Sequence, residues 1–187
     1  EHTRIVQQLA GGRLREAFES AQQLLQRART AGEQAYPDAD YDLAMACFLL
    51  ARVLETASGS ETALLLLDEA RLRFEAVAKV RTNKTAERMA FACLIEQGSC
   101  LRNLGRCDEA AVAYEEGIQR AKRHGAARDV AIGKVQLGNV CLQQHRYPEA
   151  LAAYAEAREQ FTALGEPGAV AGAWHETGRA YQGAGQS

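Results

Sequence analysis

The chain reads as all-α, a solenoid of antiparallel helix hairpins, and three observations predict it. The stretch Gly98 to Ala110, GSCLRNLGRCDEA, returns forty residues on as GNVCLQQHRYPEA from Gly138 to Ala150, and Gly178 opens a third copy, GRAYQGAGQS, forty residues further. Self-similarity at a period of about 20–50 residues marks stacked units, each burying its apolar face on the next. The runs around Gly98 and Gly138 lack the alternation of a strand, whereas small and apolar residues recur at helical spacing. Finally, Pro37, Pro148 and Pro167 all fall at unit boundaries or in a first helical turn, the places a helix tolerates proline.

Taken in order, the first helix is expected from about Thr3 to Leu9, stopped by Gly11-Gly12. Its partner starts near Arg13, carries Leu14, Ala17, Ala21, Leu24 and Leu25 at helical spacing, and fades between Gly32 and Pro37. Asp38 or Asp40 is expected to cap the next helix, whose buried stripe is Leu43, Cys47, Leu50, Ala51 and Leu54. Ser58-Gly59-Ser60 is the turn, and Ala63, Leu67 and Ala70 then take the places of Ala110, Tyr114 and Gly117. Ala63 lies 47 residues before Ala110, so this unit carries about seven extra residues, assigned to the polar patch from Val80 to Thr85.

The following two units are the most regular. His124-Gly125 and Leu164-Gly165 close their second helices at equivalent positions, and His145 holds the turn position of Gly105 and Gly185. Ala110 and Ala150 each precede a tyrosine by four residues, Tyr114 and Tyr154, so a small and an aromatic side chain share one helix face. Gly98 and Gly138, twelve positions upstream, are read as clearance for a crossing helix. The units are bounded at about 1–36, 37–84, 85–127, 128–168 and a partial 169–187, all within one solenoid. This register has the chain opening inside a hairpin, with its first helix extending upstream of His2, and stopping at Gly185-Gln186-Ser187 before a second helix: a piece of a longer solenoid. The uncovered ends, Trp174, Ala180 and Tyr181 among them, are expected to self-associate.

The pattern formed by these glycines, alanines and tyrosines resembles the tetratricopeptide (TPR) repeat, W-x2-L-G-x2-Y…A-x3-F…P. Trp174, Gly178 and Tyr181 match its first half, with Thr177 in place of leucine. The period is 40 rather than 34, and Lys122 and Thr162 stand where the closing proline would be. That departure is similar to the long-helix variants in kinesin light chains and in the sensor regions of large bacterial signalling ATPases. The resemblance implies a right-handed superhelix whose first helices line a concave groove for a peptide or helix of a partner. By register the groove residues are Phe48, Arg52 and Glu55; Ile95, Ser99 and Arg102; Val135, Asn139 and Gln143; and His175, Arg179 and Gln182. The family's clamp for terminal carboxylates pairs Lys with Asn. Only Asn139 matches it, with Ile95, Val135 and His175 at the lysine place, so that clamp is not expected.

Composition narrows the function. The 187 residues are 47% apolar and 25% charged, the balance of a packed domain, and a net charge of −2 with mixed signs gives no basic footprint for nucleic acid. Ala63-Leu64-Leu65-Leu66-Leu67 is stopped by Asp68-Glu69, far short of a membrane span. Five cysteines, Cys47, Cys93, Cys100, Cys107 and Cys141, contain no CxxC; they read as core residues, and unpaired thiols point to a reducing, cytoplasmic compartment. Asn83-Lys84-Thr85 is by the same argument a chance sequon.

No phosphate loop, HExxH or GxSxG occurs; Asp108-Glu109 and Glu115-Glu116 lie among Lys and Arg on helix faces, and the four histidines are dispersed. No catalysis, cofactor or metal is expected. The chain reads as a protein-interaction module, a scaffold or sensor region of a larger protein. The other reading is a regulatory ligand-sensing segment of a multidomain signalling ATPase or protease whose catalytic domain lies elsewhere. Arg52, Arg102 and Arg179, with Glu55 and Glu176 in part neutralising them, suggest a partner segment carrying acidic residues.

Overall fold

The computed structural model describes residues 1–32 and 35–185. Among them it holds nine helices and no strand: α1 (His2–Ala10), α2 (Leu14–Ala31), α3 (Ala39–Thr56), α4 (Ser60–Arg81), α5 (Lys84–Asn103), α6 (Cys107–Arg123), α7 (Ala127–Gln143), α8 (Tyr147–Ala163) and α9 (Pro167–Ala184). Part of the expected break between Gly32 and Pro37, and the chain end at Gln186-Ser187, lie outside the described residues. None of these helices is long and apolar enough to cross a membrane. The chain divides into two compact units, Glu1–Leu104 and Gly105–Ser187.

In the first unit consecutive helices pack as neighbours, and α1, α3 and α5 also touch in sequence, the arrangement of stacked hairpins. The core is continuous from Ile5 to Cys100, with Leu43, Cys47, Leu50, Ala51, Ala63, Leu67, Ala70 and Phe74 buried and Leu54 packed partly against them. Burial on this scale, at about 25 cal/mol per Å² of apolar surface, outweighs what helix propensity alone supplies. In the second unit α6 to α9 pack in succession and α7 touches α9. Tyr114 and Tyr154 are fully buried, as are Ala110 and Ala150.

Gly138 is one glycine whose missing side chain matters. A Cβ there would stand 2.5 Å from Cε1 of Tyr154, so the ring of α8 occupies the space that any side chain on α7 would need. The turns share a second device. Gly12, Gly125, His145 and Gly165 adopt left-handed φ of 70, 67, 59 and 69°, and the next residue's N–H reaches back to the fifth carbonyl before it: Gln8, Ala121, Cys141 and Phe161. That is the Schellman closure of a helix end. Ser58 does the same at φ 63°, with Gly59 donating to Leu54 at 2.7 Å.

Several expectations are corrected. The extra residues of the second unit fall around Val80 to Thr85 and are taken up as helix: α4 has 22 residues and α5 has 20, against 17 in each of α6, α7 and α8. The polar patch is a solvent-facing helix end, and only Thr82 and Asn83 separate the two helices. Asn83 caps α5, its Oδ1 accepting from the N–H groups of Thr85 and Ala86 at 3.0 Å each. Asp38 precedes α3 but makes no side-chain cap; it pairs instead with Arg81 at 2.6 Å, while Asp40 takes Arg81's other nitrogen at 3.4 Å. Gly185 has φ −79° and does not repeat the left-handed turn of Gly105. Cys107 is half-buried at the first position of α6, whereas the other four cysteines are buried and all five are free thiols. Burial pushes the Cys47 and Cys100 thiols up to about 12.

Candidate functional site: the first-helix faces

In the first unit the predicted groove residues lie on α3 and α5. Ile95, Ser99 and Arg102 fall three to four residues apart and so share one stripe of α5. All three are half-buried, as are Arg52 and Glu55 on α3. Phe48 is not on the open face: at 6% exposed it belongs to the core, and the Arg52 guanidinium, 5.9 Å from its ring centroid, covers it. An aromatic of this size gains more from the core between α3 and its neighbours than from a groove.

The charges on this face are arranged by residues that sequence reasoning missed. Arg52 pairs with Glu96 of α5 at 3.3 Å, and Glu55 accepts a hydrogen bond from Asn103 Nδ2 at 2.9 Å. The carboxylate that neutralises Arg52 is therefore Glu96, not Glu55 as expected. Burial pushes the Glu96 carboxyl above the ordinary carboxylate range, Arg52 draws it back in part, and Glu55 pushes in the same sense as burial. Glu96 and Asn103 lie seven residues apart, two turns along the side of α5 that meets α3, but nothing local in the sequence says which residues they reach.

Arg102 stands differently. Its Nε is shielded from solvent and has no hydrogen-bond partner among the described residues. A buried donor left unpaired costs about 1–3 kcal/mol relative to a satisfied one. On the same stripe, Ser99 Oγ donates to the Ile95 carbonyl at 3.3 Å.

In the second unit the predicted residues lie on α7 and α9. Val135 is half-buried and packs against the cores around Tyr154 and Phe161. Asn139 is tied into its hairpin, its Oδ1 accepting from the Tyr154 hydroxyl at 2.8 Å and its Nδ2 lying 3.4 Å from Gln136 Oε1. Gln143, His175, Arg179 and Gln182 are exposed. Arg179 pairs with Glu176 at 2.8 Å. Of the three arginines, two thus already hold a carboxylate of their own unit.

An open cleft of about 480 Å³ lies elsewhere on the first unit, lined by Glu1, Leu24, Arg27, Tyr36 and Asp42 among others. Four of its polar groups pair with one another, Arg27 with Glu1 and the Tyr36 hydroxyl with Asp42 Oδ2 at 2.8 Å, and His2 and Thr3 also line it.

No family model matches the chain, and no curated protein matches it. Solved structures do. BtubC (BKLC) from P. vanneervenii superposes with a TM-score of 0.74 at 22% identity, over 90% of this chain and 66% of that one. The nearly identical TPR-like repeats of a Podosopora anserina chain assigned to kinesin light chain superpose at 0.72, and a point variant of the same repeats at 0.73, each at 17% identity over 99% of this chain and 85% of theirs. This chain therefore spans about two thirds of the BtubC chain's length. At such identities the likeness is one of fold: the chain is an α-solenoid of TPR-like hairpins.

Proposed function

We propose that this TPR-like chain is a protein-interaction module of a larger cytoplasmic protein, and that the first-helix faces receive a peptide or helix carrying carboxylates. The observation that carries the reading is Arg102, with a shielded Nε that lacks a hydrogen-bond partner among the described residues, on the same α5 stripe as Ile95 and Ser99. Arg102 as a whole is only half-buried, so an acidic side chain laid along α5 would pair with the guanidinium N–H groups that stay open to solvent. Ile95 on the same stripe supplies aliphatic surface beside the polar positions, and apolar contacts of that kind give affinity while charge gives orientation and salt dependence. Four buried free thiols support the reducing compartment.

An array of helical and extended peptides that combine aspartate or glutamate with aliphatic anchors tests the reading. Acidic peptides should bind the parent, and Arg102→Ala should weaken them roughly 10- to 100-fold at low salt, the equivalent of about 1.5–3 kcal/mol for a hydrogen bond to a charged group. The difference should shrink at high salt, with helicity unchanged. Equal binding by parent and variant at both salt concentrations would remove the α5 face from the function.

A further inference from the structure

The outward face of α4 departs from its own repeat. Leu65, Leu72 and Val80 are 73%, 58% and 81% exposed. The position of Leu72 holds Gln119 in α6 and Glu159 in α8, while that of Leu65 holds Val112, also exposed, in α6 and Ala152 in α8. At about 100° per residue, Leu65, Leu72 and the exposed Ala76 fall on one line of α4, with Val80 roughly 60° to one side. Glu61, Asp68 and Lys79, all exposed, flank the other side. Two leucines in line, with a valine beside the line, all largely exposed on one surface helix, are more than scattered exposure accounts for.

We propose that this stripe is a self-association surface, on which α4 of one copy packs antiparallel against α4 of a second copy. The stripe is nearly palindromic about Leu72. Turned end for end at that residue, a second α4 sets Leu72 against Leu72 of the second copy and Leu65 against Val80 of the second copy, because these lie seven and eight residues from the pivot. The flanking charges follow the same symmetry. Lys79 of the second copy falls between Glu61 and Asp68, three to four residues from the point opposite each, about 4–6 Å along the axis and within reach of a lysine side chain. In an isologous contact every such pairing occurs twice, so the complementarity argues for a second copy of this chain over an unrelated helix. A pairing of one helix from each copy lies at the small end of specific interfaces, so the dimer exchanges readily and fills only at high concentration.

Sedimentation velocity over a wide concentration range tests this. The parent's sedimentation coefficient should climb toward that of a dimer, and Leu72→Glu should hold it at the monomer value with unchanged circular dichroism, since the side chain faces solvent. Lys79→Glu and Glu61→Lys should each suppress the dimer alone, and an equimolar mixture of the two should restore it, because the acidic flank of one variant then meets the basic flank of the other. A parent that stays monomeric throughout, a Leu72→Glu variant that associates like the parent, or a mixture that stays monomeric would overturn the proposal. So would association that survives every α4 change and disappears with Trp174→Glu, which would place the contact on α9.

Discussion

Glu96 shows how one half-buried carboxyl couples the candidate site to stability. Burial raises its pKa above the ordinary range, so the folded chain holds that proton at pH values where the unfolded chain has released it. Stability from this group is therefore greatest at acid pH and falls as pH rises from the ordinary carboxylate value through the raised one. Glu96→Gln should gain stability relative to the parent across that window, and Arg52→Ala, which removes the compensating cation 3.3 Å away, should lose more at neutral than at acid pH. Urea unfolding of both variants at several pH values checks the sign; an Arg52→Ala loss that is constant with pH would detach the arginine from Glu96. Gly138 makes a second residue-scale case. An alanine there would bring a methyl within 2.5 Å of a fully buried tyrosine ring that is also tethered to Asn139, so neither partner can yield cheaply. Overpacking of this kind costs about 1–3 kcal/mol, and the urea midpoint of Gly138→Ala should drop accordingly.

At the scale of the element, α4 and α5 separate what the sequence shows from what it hides. The turn residues were legible because backbone geometry leaves a local mark: His145 aligns with Gly105, and both adopt positive φ. The Gly138–Tyr154 crossing was legible too, because the repeat sets glycine and aromatic at one spacing in successive hairpins. The place of the seven extra residues was legible because Arg81-Thr82-Asn83-Lys84 is polar, but their conformation was not, since polarity reports exposure to water, which the ends of two long helices share with a loop. Pairings between helices left no local mark at all, so Glu96 with Arg52, Asn103 with Glu55 and Arg81 with Asp38 emerge only from the packed hairpins. Asn83 tests the corrected boundary. Its side chain satisfies two N–H groups at the start of α5, so Asn83→Ala should cost about 0.5–2 kcal/mol and Asn83→Gly only a few tenths. Equal losses for the two variants, or no loss for either, would show that the cap does not hold that helix end.

Across the whole molecule, stability is distributed as the repeats are. One apolar cluster runs from Ile5 to Cys100 within the first unit, while the clusters around Tyr154 and Phe161 draw only on residues between Ala131 and Ala180. In a stacked-repeat chain each hairpin is stabilised by itself and by its neighbours, so damage is felt first where it is made and fades along the stack. Ala150 offers the cleanest place to do such damage. It is fully buried in the cluster that holds Cys141, Tyr154 and Ala180, with no exposed side toward which a larger side chain could turn. Ala150→Leu should therefore overpack that joint by about 1–3 kcal/mol. Because opening free energies differ from region to region, hydrogen exchange should report the loss by position. Amides of α7, α8 and α9 should exchange faster by the factor that the lost stability dictates, roughly 5- to 150-fold for that range at about 1.4 kcal/mol per decade, while those of α3 and α4 keep the parent's protection. Uniform acceleration from α1 to α9 would mean instead that the chain opens as one cooperative block, with its two compact units not separately stabilised.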